Sequence, residues 1–520
     1  MPKLGDLIKR NALLANRFQR KHLKPKTQQK RVLRRLLRRA APTSFGQYYH
    51  FKKILHSDKF IAEFQRQVPL FDYDSMYNKW WDLTLNGVEN VSWPGKIKYF
   101  ALSSGTSGAP SKQIPVSEDA IRVMKKGAMR LFFTLPRFKA EIDLFTRGML
   151  MLGGSTDLEI QNGHFQGDLS GINAGKLPLW LRPYYKPGTK ISRIRNWNER
   201  IEEIAKNAPQ WDVGIIVGIP AWLQLVMEKI IDYHQADTIH DIWPNLKMCI
   251  HGGVHFEPYR KGFAKLTARP LIYVDTYLAS EGFFAFQARP DHPAMRLLTN
   301  HGIFYEFIPF TEENFDPDGQ LIGQPRALPL SKVKEGVNYA LVISSCSGAW
   351  RYLIGDTVQF TDKQNAEIII TGRTKHYLSI CGEHLTVDNM NQGIQTVEKQ
   401  LDISIPEYTV AAVHHGNFYA HQWYIGSDRP IGAEKIRAVL DASLQTVNAD
   451  YATERTSVLR EVFVQVLPVA YFYQFLARHG KLGGQHKFPR VLKKDQYREW
   501  CDFVEEQKTS RNPGHRPRIT

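Results

Sequence analysis

The chain has 520 residues, of which 43% are hydrophobic and 12% aromatic, as in a globular protein with room for two or three domains. It has no apolar run long enough to span a bilayer, and its basic N-terminus lacks the apolar segment and cleavage site of a secretory signal. The four cysteines, Cys249, Cys346, Cys381 and Cys501, have no paired spacing for zinc or disulfides. We therefore expect a cytoplasmic protein with reduced thiols.

The net charge of +18 is concentrated early in the chain, in the segment QQKRVLRRLLRRAAP. Its apolar residues recur at helical spacing and leave the arginines on the opposite face, so the pattern predicts an amphipathic helix that ends near Pro42. The predicted apolar face consists of Val32, Leu33, Leu36, Leu37 and Ala40. We interpret the segment as a docking helix with a solvated basic face. Binding to nucleic acid or to an anionic membrane is the alternative, which lacks interleaved aromatic residues to support it.

Apolar runs further along the chain predict strands that alternate with helices. The segment 147–155 reads as a buried strand that runs into a turn, and Ile215–Val217 as a short strand followed by a helix over Ala221–Tyr233. The segments PLIYVDTYLASEGFFAF and YALVISSCSGAWRYLIGDTVQF read as strands that carry polar loops. Strands that alternate with helices indicate an α/β fold with functional loops at strand ends.

The pattern changes near Lys375, after which strands and helices of a smaller α+β domain follow. We therefore predict two domains. The first spans residues 1–375, and the second, the smaller domain, spans residues 376–520.

The stretch YFALSSGTSGAPSKQIPVS is unusual because small hydroxyl residues and glycines follow one another from Ser103 to Gly108. It is not a Walker A loop and is one residue too short for a nucleophile elbow. Taken alone, it is equally a polar turn or a loop whose backbone N–H groups bind an anion. The nearby Lys112 favours a phosphate as that anion.

Two carboxylates follow within apolar surroundings. Glu281, in DTYLASEGFFAF, is either a member of an ion pair or a ligand of Mg²⁺, which takes one or two carboxylates together with water and phosphate oxygens. Asp356, in WRYLIGDTVQF, is either a turn residue after Gly355 or a group that binds both hydroxyls of a ribose.

These motifs resemble, in order and spacing, the adenylate-forming superfamily of firefly luciferase and the acyl-CoA ligases. The chain is most similar to the Gretchen Hagen family of acyl acid–amido synthetases, including its bacterial members, over nearly its whole length. The resemblance rests on SSGTSG from Ser103, YLASE from Tyr277, WRYLIGD from Trp350, GRTK from Gly372, and the segments VPLFDYDSM, SGINAGKLPLWLRPYYKPG and GEHLT.

The resemblance implies that the large N-terminal α/β domain, residues 1–375, binds ATP and the acyl acid. It also implies that the small α+β C-terminal domain, residues 376–520, is mobile and swivels over the active site as a lid. It also implies roles for individual residues. The residues that would hold the ATP phosphates are Ser103, Ser104, Gly105, Thr106, Ser107 and Lys112. Those that would line the adenine are Gly252, Gly253, Val254 and Tyr277.

The same resemblance assigns the remaining contacts. Ser280 would contact the α-phosphate and Glu281 would hold Mg²⁺. Asp356, assisted by Arg373, would bind the ribose hydroxyls, and Lys375 would be the hinge. Lys487 would be the mobile lysine of the small domain that stabilises charge while the adenylate forms.

In the first step of the implied reaction, ATP activates a small carboxylic acid as an acyl-AMP and pyrophosphate is released. In the second step the acyl group is joined to an amine, which the resemblance implies to be an amino acid, and AMP is released. Transfer to a thiol such as coenzyme A or a carrier protein is the alternative. A basic protein that binds nucleic acid or a membrane is a third hypothesis, which we disfavour because the motif residues are all present. We expect a monomer.

The sequence does not identify the acid. The helix that follows the serine-rich loop is a candidate wall of the acyl pocket, with Met124, Ala128 and Leu131 at helical spacing. Residues with this spacing are more often part of the core, and we interpret these three as core residues.

Overall fold

The computed structural model describes residues 24–103, 112–138, 142–177, 179–253, 256–290, 292–316, 319–374, 377–378, 385–415, 418–448, 451–452, 455, 459–480, 488–492 and 494–511. These residues form two compact units, which we describe separately. The first unit takes the described residues up to 253 and residues 263–374. The second takes residues 256–262 and the described residues after 374.

Sixteen strands of the first unit lie in the described part of the chain. They are β1 (Tyr99–Ser103), β2 (Lys112–Val116), β3 (Gly148–Met151), β4 (Glu159–Gln161), β5 (His164–Gly167), β6 (Tyr185–Lys186), β7 (Val213–Gly218), β8 (Met248–Gly252), β9 (Ile272–Ala279), β10 (Gly282–Gln287), β11 (Met295–Leu297), β12 (Ile303–Pro309), β13 (Leu328–Pro329), β14 (Asn338–Ser345), β15 (Tyr352–Asp362) and β16 (Glu367–Arg373).

Most of these strands form one large mixed sheet, in the order β13-β12-β14-β15-β16-β11-β10-β9-β8-β7-β3-β6. The section from β9 to β6 is parallel, and the rest is antiparallel. Because parallel strands share one carboxyl edge, the residues that follow β3, β7 and β8 lie along the same edge. That edge is where open α/β sheets bind ligands.

A second sheet in this unit has the order β2-β1-β5-β4. Strand β5 is parallel to β1, with Ala101 opposite Gly167, so the residues that follow both strands leave the sheet side by side. Strands β1 and β2 are antiparallel, and the serine-rich stretch connects Ser103 to Lys112.

Helices cover the sheets of the first unit. They are α1 (Pro25–Ala40), α2 (Ser44–Tyr48), α3 (Phe51–His56), α4 (Phe60–Gln67), α5 (Tyr73–Met76), α6 (Asp82–Leu85), α7 (Glu118–Thr134), α8 (Leu169–Gly175), α9 (Trp197–Asn207), α10 (Pro220–His234), α11 (Ile239–Ile242) and α12 (Arg260–Leu266), which crosses the boundary between the units. The predicted strand–helix alternation is thus confirmed, including the strand before Gly218 and the helix after it.

The basic helix predicted from the sequence is α1. Val32, Leu33, Leu36, Leu37 and Ala40 are buried, as the apolar period indicates, and the arginines between them are exposed.

Helix α7 corrects one sequence interpretation. Met124 and Leu131 are buried in the core, but Ala128 is exposed, so its assignment to the core was wrong. The buried stripe runs instead through Gly127, whose backbone packs so closely on Phe283 that a Cβ would lie 2.8 Å from that ring. This close contact turns the neighbouring Ala128 outwards.

A buried ion pair joins the helices to the sheet. The Arg351 guanidinium donates from Nε to both oxygens of Glu306 at 3.2 Å, and both side chains are almost completely buried. Its Nη1 donates to the backbone carbonyls of Gln65 and Val68, at 2.9 and 2.7 Å. Arg351 therefore connects β12, β15 and the end of α4, and its hydrogen bonds offset the cost of burying the charge.

The second unit contains a four-stranded sheet and helices on either side of it. Its described elements are β17 (Tyr377–Leu378), β18 (Leu385–Thr386), α13 (Val387–Leu401), β19 (Glu407–His415), β20 (Phe418–Gly426), α14 (Ala433–Val447), β21 (Leu459–Leu467), α15 (Val469–Arg478), β22 (Val491–Leu492) and α16 (Lys494–Arg511). The sheet order is β21-β20-β19-β22, and β17 pairs with β18. The α+β character predicted for this part of the chain is confirmed.

Residues 256–262 pack into the second unit through its buried charges. The Tyr259 hydroxyl donates to Glu407, which also accepts from Arg490 at 2.7 Å. In the described ranges no helix is long and apolar enough to cross a membrane. Cys249, Cys346 and Cys501 are free thiols, whereas Cys381 lies outside the described residues.

We expect Glu306→Gln to lower the free energy of unfolding by about 3–5 kcal/mol, because it leaves the Arg351 charge buried without a counterion. Urea unfolding followed by far-UV circular dichroism measures the change. Glu159→Gln is the matched control, since Glu159 is exposed and its ion pair with Arg195 contributes at most about 1 kcal/mol. Equal stability of the two variants would contradict the structural role of the buried pair.

Candidate functional site

Three of the residues singled out from the sequence meet around one carboxylate. The Tyr277 hydroxyl, on β9, donates to Oδ2 of Asp356 at 2.6 Å. Arg373 Nε lies 3.0 Å from Oδ1 of the same carboxylate. Asp356 and Arg373 are direct cross-strand partners on β15 and β16, which explains their ion pair. Gly355, with φ +88°, gives β15 a kink immediately before Asp356 that a side chain would resist.

Glu281 lies in the two-residue turn between β9 and β10, where Ala279 pairs with Gly282. Burial raises the pKa of its carboxyl group, and the Asp356 carboxylate adds to this. Lys112 and Arg373 act in the opposite direction. In the ranges that the structure describes, Glu281 has no ion-pair partner. It is therefore a partly desolvated carboxylate with two cations nearby and none bound to it.

The glycines at the end of β8 lie beside this cluster, because β8 is the neighbour of β9. A Cβ on Gly252 would lie 2.4 Å from the backbone oxygen of Thr276, so only glycine fits without separating the strands. The Thr276 hydroxyl donates to the His251 carbonyl at 2.7 Å and fixes the same strand pair. The edge of the sheet is thus left without side chains at Gly252 and Gly253.

Lys112 is the first residue of β2 and the backbone partner of Ser103, the last residue of β1. Its ammonium lies 5.1 Å from the ring centre of Tyr73. Ser280 is half-buried in the turn that also holds Glu281. The remaining predicted residues, Ser104, Gly105, Thr106, Ser107, Val254, Lys375 and Lys487, lie outside the described residues.

Tyr352 belongs to this site and received no role from the sequence. It is buried, and burial raises the pKa of its hydroxyl well above the ordinary value, with the Glu281 carboxylate adding to the effect. Tyr352 lies in the same motif as Asp356, WRYLIGD, and this proximity in sequence is the signal that could have identified it.

The cluster has the chemistry of a polar ligand site. It combines two carboxylates, an arginine, a lysine and buried tyrosine hydroxyls at the end of apolar strands. Among the described residues, no three His, Cys, Asp or Glu side chains are grouped to hold a metal ion by themselves. A metal at Glu281 would need its other ligands from water or from a bound ligand.

Three family models match the chain. The GH3 family N-terminal domain matches residues 14–152, the central domain residues 296–371 and the C-terminal domain residues 388–496. A curated relative, the jasmonoyl–L-amino acid synthetase JAR6 of Nicotiana attenuata, is 28% identical over 340 residues, which cover 58% of this chain and 56% of that protein.

Solved structures share the fold. The GH3.15 acyl acid amido synthetase superposes with a TM-score of 0.74 at 16% identity, covering 92% of this chain and 93% of that one. A 2-hydroxyisobutyryl-CoA ligase in the postadenylation state gives a TM-score of 0.55 at 11% identity, covering 92% and 91%. The predicted α/β fold with a large N-terminal and a smaller C-terminal part is confirmed.

The matches to three curated relatives span 39%, 46% and 56% of those proteins. The three family models, by contrast, together cover more than half of this chain. The protein therefore belongs to the GH3 family, the Gretchen Hagen family that its motifs resemble.

Proposed function

We propose that the protein is an ATP-dependent acyl acid–amido synthetase. It activates a carboxylic acid as an acyl-AMP with release of pyrophosphate, and then joins the acyl group to an amine with release of AMP. The observation that carries the proposal is the Asp356 carboxylate, held between Tyr277 and Arg373 beside Glu281, in a member of the GH3 family. The relative JAR6 of Nicotiana attenuata is itself named a jasmonoyl–L-amino acid synthetase.

The geometry of the cluster supports nucleotide binding. The Asp356 carboxylate has two oxygens that can accept hydrogen bonds, as recognition of the two hydroxyls of a ribose requires. Tyr277 offers an aromatic ring whose plane is fixed by edge packing on Phe284, at 4.9 Å between centres. Gly252 and Gly253, on the neighbouring strand, let a flat base approach the backbone. The phosphate role of the serine-rich stretch stays a prediction.

Glu281 fits a site for Mg²⁺. Its carboxylate is desolvated, so a bound cation would offset the cost that raises its pKa. Mg²⁺ commonly binds through one carboxylate and the phosphate oxygens of a substrate, and when bound it neutralises charge on those oxygens. Lys112, whose charge already acts on Glu281, would face the same phosphates.

The first step needs no protein nucleophile. An oxygen of the substrate carboxylate attacks the α-phosphorus, and the bond to the pyrophosphate oxygen breaks. Asp356, Tyr277 and Arg373 hold the nucleoside in place, and Lys112 and the predicted Lys487 stabilise the charge that develops on phosphate. In the second step the amine nitrogen attacks the acyl carbon, and AMP leaves.

An apolar pocket in the first unit supports binding of an apolar acyl group. Its walls come from the end of α7, from β3 and β7, and from the segment around β6. The main lining residues are Phe132, Phe145, Met149, Met151, Tyr185 and Ile215. Helix α7 contributes Phe132 to this lining, whereas Met124 and Leu131 are not among the lining residues. We infer that the acid carries an aromatic or aliphatic body with few polar groups.

We expect Glu281→Gln and Asp356→Asn each to lower acid-dependent release of pyrophosphate by about 100-fold or more, because each removes a charge that the transition state or the nucleotide needs. Folding, checked by circular dichroism, should be unchanged. Asp58→Asn is the control, since Asp58 is exposed and belongs to none of the motifs. Wild-type rates in both variants would rule out these assignments.

The pocket makes a separate prediction. Met151→Trp should fill the apolar cavity and raise the KM for the acid by about 10-fold or more, with the KM for ATP unchanged. Ile160→Trp, at a position that is 71% exposed, is the matched control. A change in the KM for ATP alone would place the acyl group elsewhere.

Product analysis separates the amide from the thioester reaction. When an amino acid and coenzyme A are offered together, mass spectrometry should detect the amide. Exclusive formation of the thioester would replace the proposed activity with that of an acyl-CoA ligase.

A further inference from the structure

A carboxylate that the proposed mechanism has not used lies where the two sheets of the first unit meet. Asp168 follows β5 directly, one residue beyond the pairing of Gly167 with Ala101, and is therefore level with the end of β1. Its Oδ2 would lie 2.0 Å from a Cβ on Gly154, so the carboxylate rests against the backbone that follows β3. Asp168 thus lies between the carboxyl ends of β1 and β3.

The Asp168 carboxylate has no partner of its own. In the described ranges it forms no hydrogen bond or ion pair, and it does not cap the helix that it precedes. Burial raises its pKa to about 6, and the only opposing influence comes from the charge of Arg200. Asp168 is half-buried, and a partly desolvated carboxylate that serves the fold alone would be expected to have hydrogen-bond donors.

Arg200, on α9, is the matching cation. Its side chain is 4% exposed, packs 4.6 Å from the ring centre of Trp197, and donates from Nη2 to the Gly153 carbonyl at 2.9 Å. Its Nε is buried without a hydrogen-bond partner. No described carboxylate, Asp168 included, lies within 4 Å of it. A half-buried carboxylate and a buried guanidinium therefore lie near each other without forming an ion pair.

The two charges adjoin the apolar pocket. Tyr185 lines that pocket and interacts electrostatically with Arg200. Gly153 and Gly154 follow Met151, another lining residue, by two and three positions along the chain. A molecule between Asp168 and Arg200 would therefore lie beside the proposed acyl group, where an acceptor must be.

We propose that Asp168 and Arg200 form the acceptor site, in which Asp168 binds the ammonium group of an amino acid and takes its proton while Arg200 binds its carboxylate. The proposal rests on the proposed amido synthetase function and adds the acceptor's chemistry to it. An α-amino acid carries an ammonium and a carboxylate at a short separation and would therefore pair with both side chains. A thiol acceptor carries no cation, and the Asp168 carboxylate would repel its thiolate.

The proton has to leave before the amine can react. An ammonium has no free electron pair, so Asp168 accepts one proton and frees the nitrogen lone pair. The lone pair forms the C–N bond, and the C–O bond to phosphate breaks, with its electron pair leaving on AMP. The second nitrogen proton passes to solvent, which leaves a neutral amide.

The experiment separates acceptor chemistry from adenylation. Hydroxylamine is largely uncharged at neutral pH and traps acyl-AMP as a hydroxamate without a protein base. We expect Asp168→Asn to form hydroxamate from acid and ATP at nearly the wild-type rate, and to conjugate an amino acid about 100-fold more slowly. Asp58→Asn, an exposed control, should conjugate normally.

The pH dependence gives a second readout. Asp168 must be ionised to accept a proton, so wild-type conjugation should fall as pH is lowered through about 6. Arg200 is the charged group that acts on Asp168 among the described residues, with Tyr185 beyond it, and neither titrates in this range. Hydroxylamine also becomes protonated in this range, so its rate is divided by the unprotonated fraction, and the corrected rate should not show this fall.

Arg200 is tested by the acceptor's carboxylate. Arg200→Lys, which keeps the buried charge, should raise the KM for an amino acid by about 10-fold and leave that for the corresponding amine without a carboxylate unchanged. Equal loss of hydroxamate and amide in Asp168→Asn, or wild-type conjugation in that variant, would overturn the acceptor assignment. A wild-type protein that releases no pyrophosphate with any acid would overturn the proposed function instead.

Discussion

One hydrogen bond sets the geometry on which the site depends. Tyr277 on β9 donates to Asp356 on β15 at 2.6 Å, although three strands separate β9 from β15 in the sheet. In a flat sheet the two strands would be ~19 Å apart, at about 4.8 Å for each step. The sheet must therefore curl until its parallel section faces its antiparallel section. The curl brings Glu281, Asp356 and Arg373 to one mouth.

A buried carboxylate lies at the junction between β16 and β11, within the section of the sheet that curls. Glu367, on β16, accepts hydrogen bonds from Arg289 and from Arg296 on the neighbouring β11. Here the antiparallel section passes to β11 through only two paired residues on each strand. At such a short junction, the ion pairs of Glu367 fix the angle between β16 and β11, which the few backbone hydrogen bonds would not fix by themselves.

Two sets of opposite charges in the first unit differ in whether they form an ion pair. Arg351 and Glu306 are paired, and every hydrogen bond that they need comes from the chain itself. Asp168 is half-buried and Arg200 is buried, and the two form no ion pair with each other. We interpret the first arrangement as one that stabilises the fold, and the second as one that leaves both side chains able to bind a ligand. This difference follows from the contacts alone and does not depend on which reaction the protein catalyses.

Local patterns predicted much of the fold. The apolar period of α1 identified its buried face, and the apolar run at Ile215 identified β7, because both features depend on neighbouring residues. Motif resemblance identified Tyr277, Glu281, Asp356 and Arg373. Their contact was not predictable from residues alone, since it depends on the curl of a long sheet. The prediction that Ala128 belongs to the core was wrong, because helical spacing alone does not show that Gly127 packs closely on the sheet. No pattern in the sequence singled out Asp168, which precedes α8.

The most direct test of the central claim follows an oxygen atom. The acid that gives the fastest pyrophosphate release is labelled with ¹⁸O in its carboxylate and converted in full, and the nucleotide and phosphate products are examined by mass spectrometry. Attack of the carboxylate on the α-phosphorus predicts one ¹⁸O in AMP and none in pyrophosphate. Label in pyrophosphate or inorganic phosphate, or AMP without label, would contradict adenylation at this site.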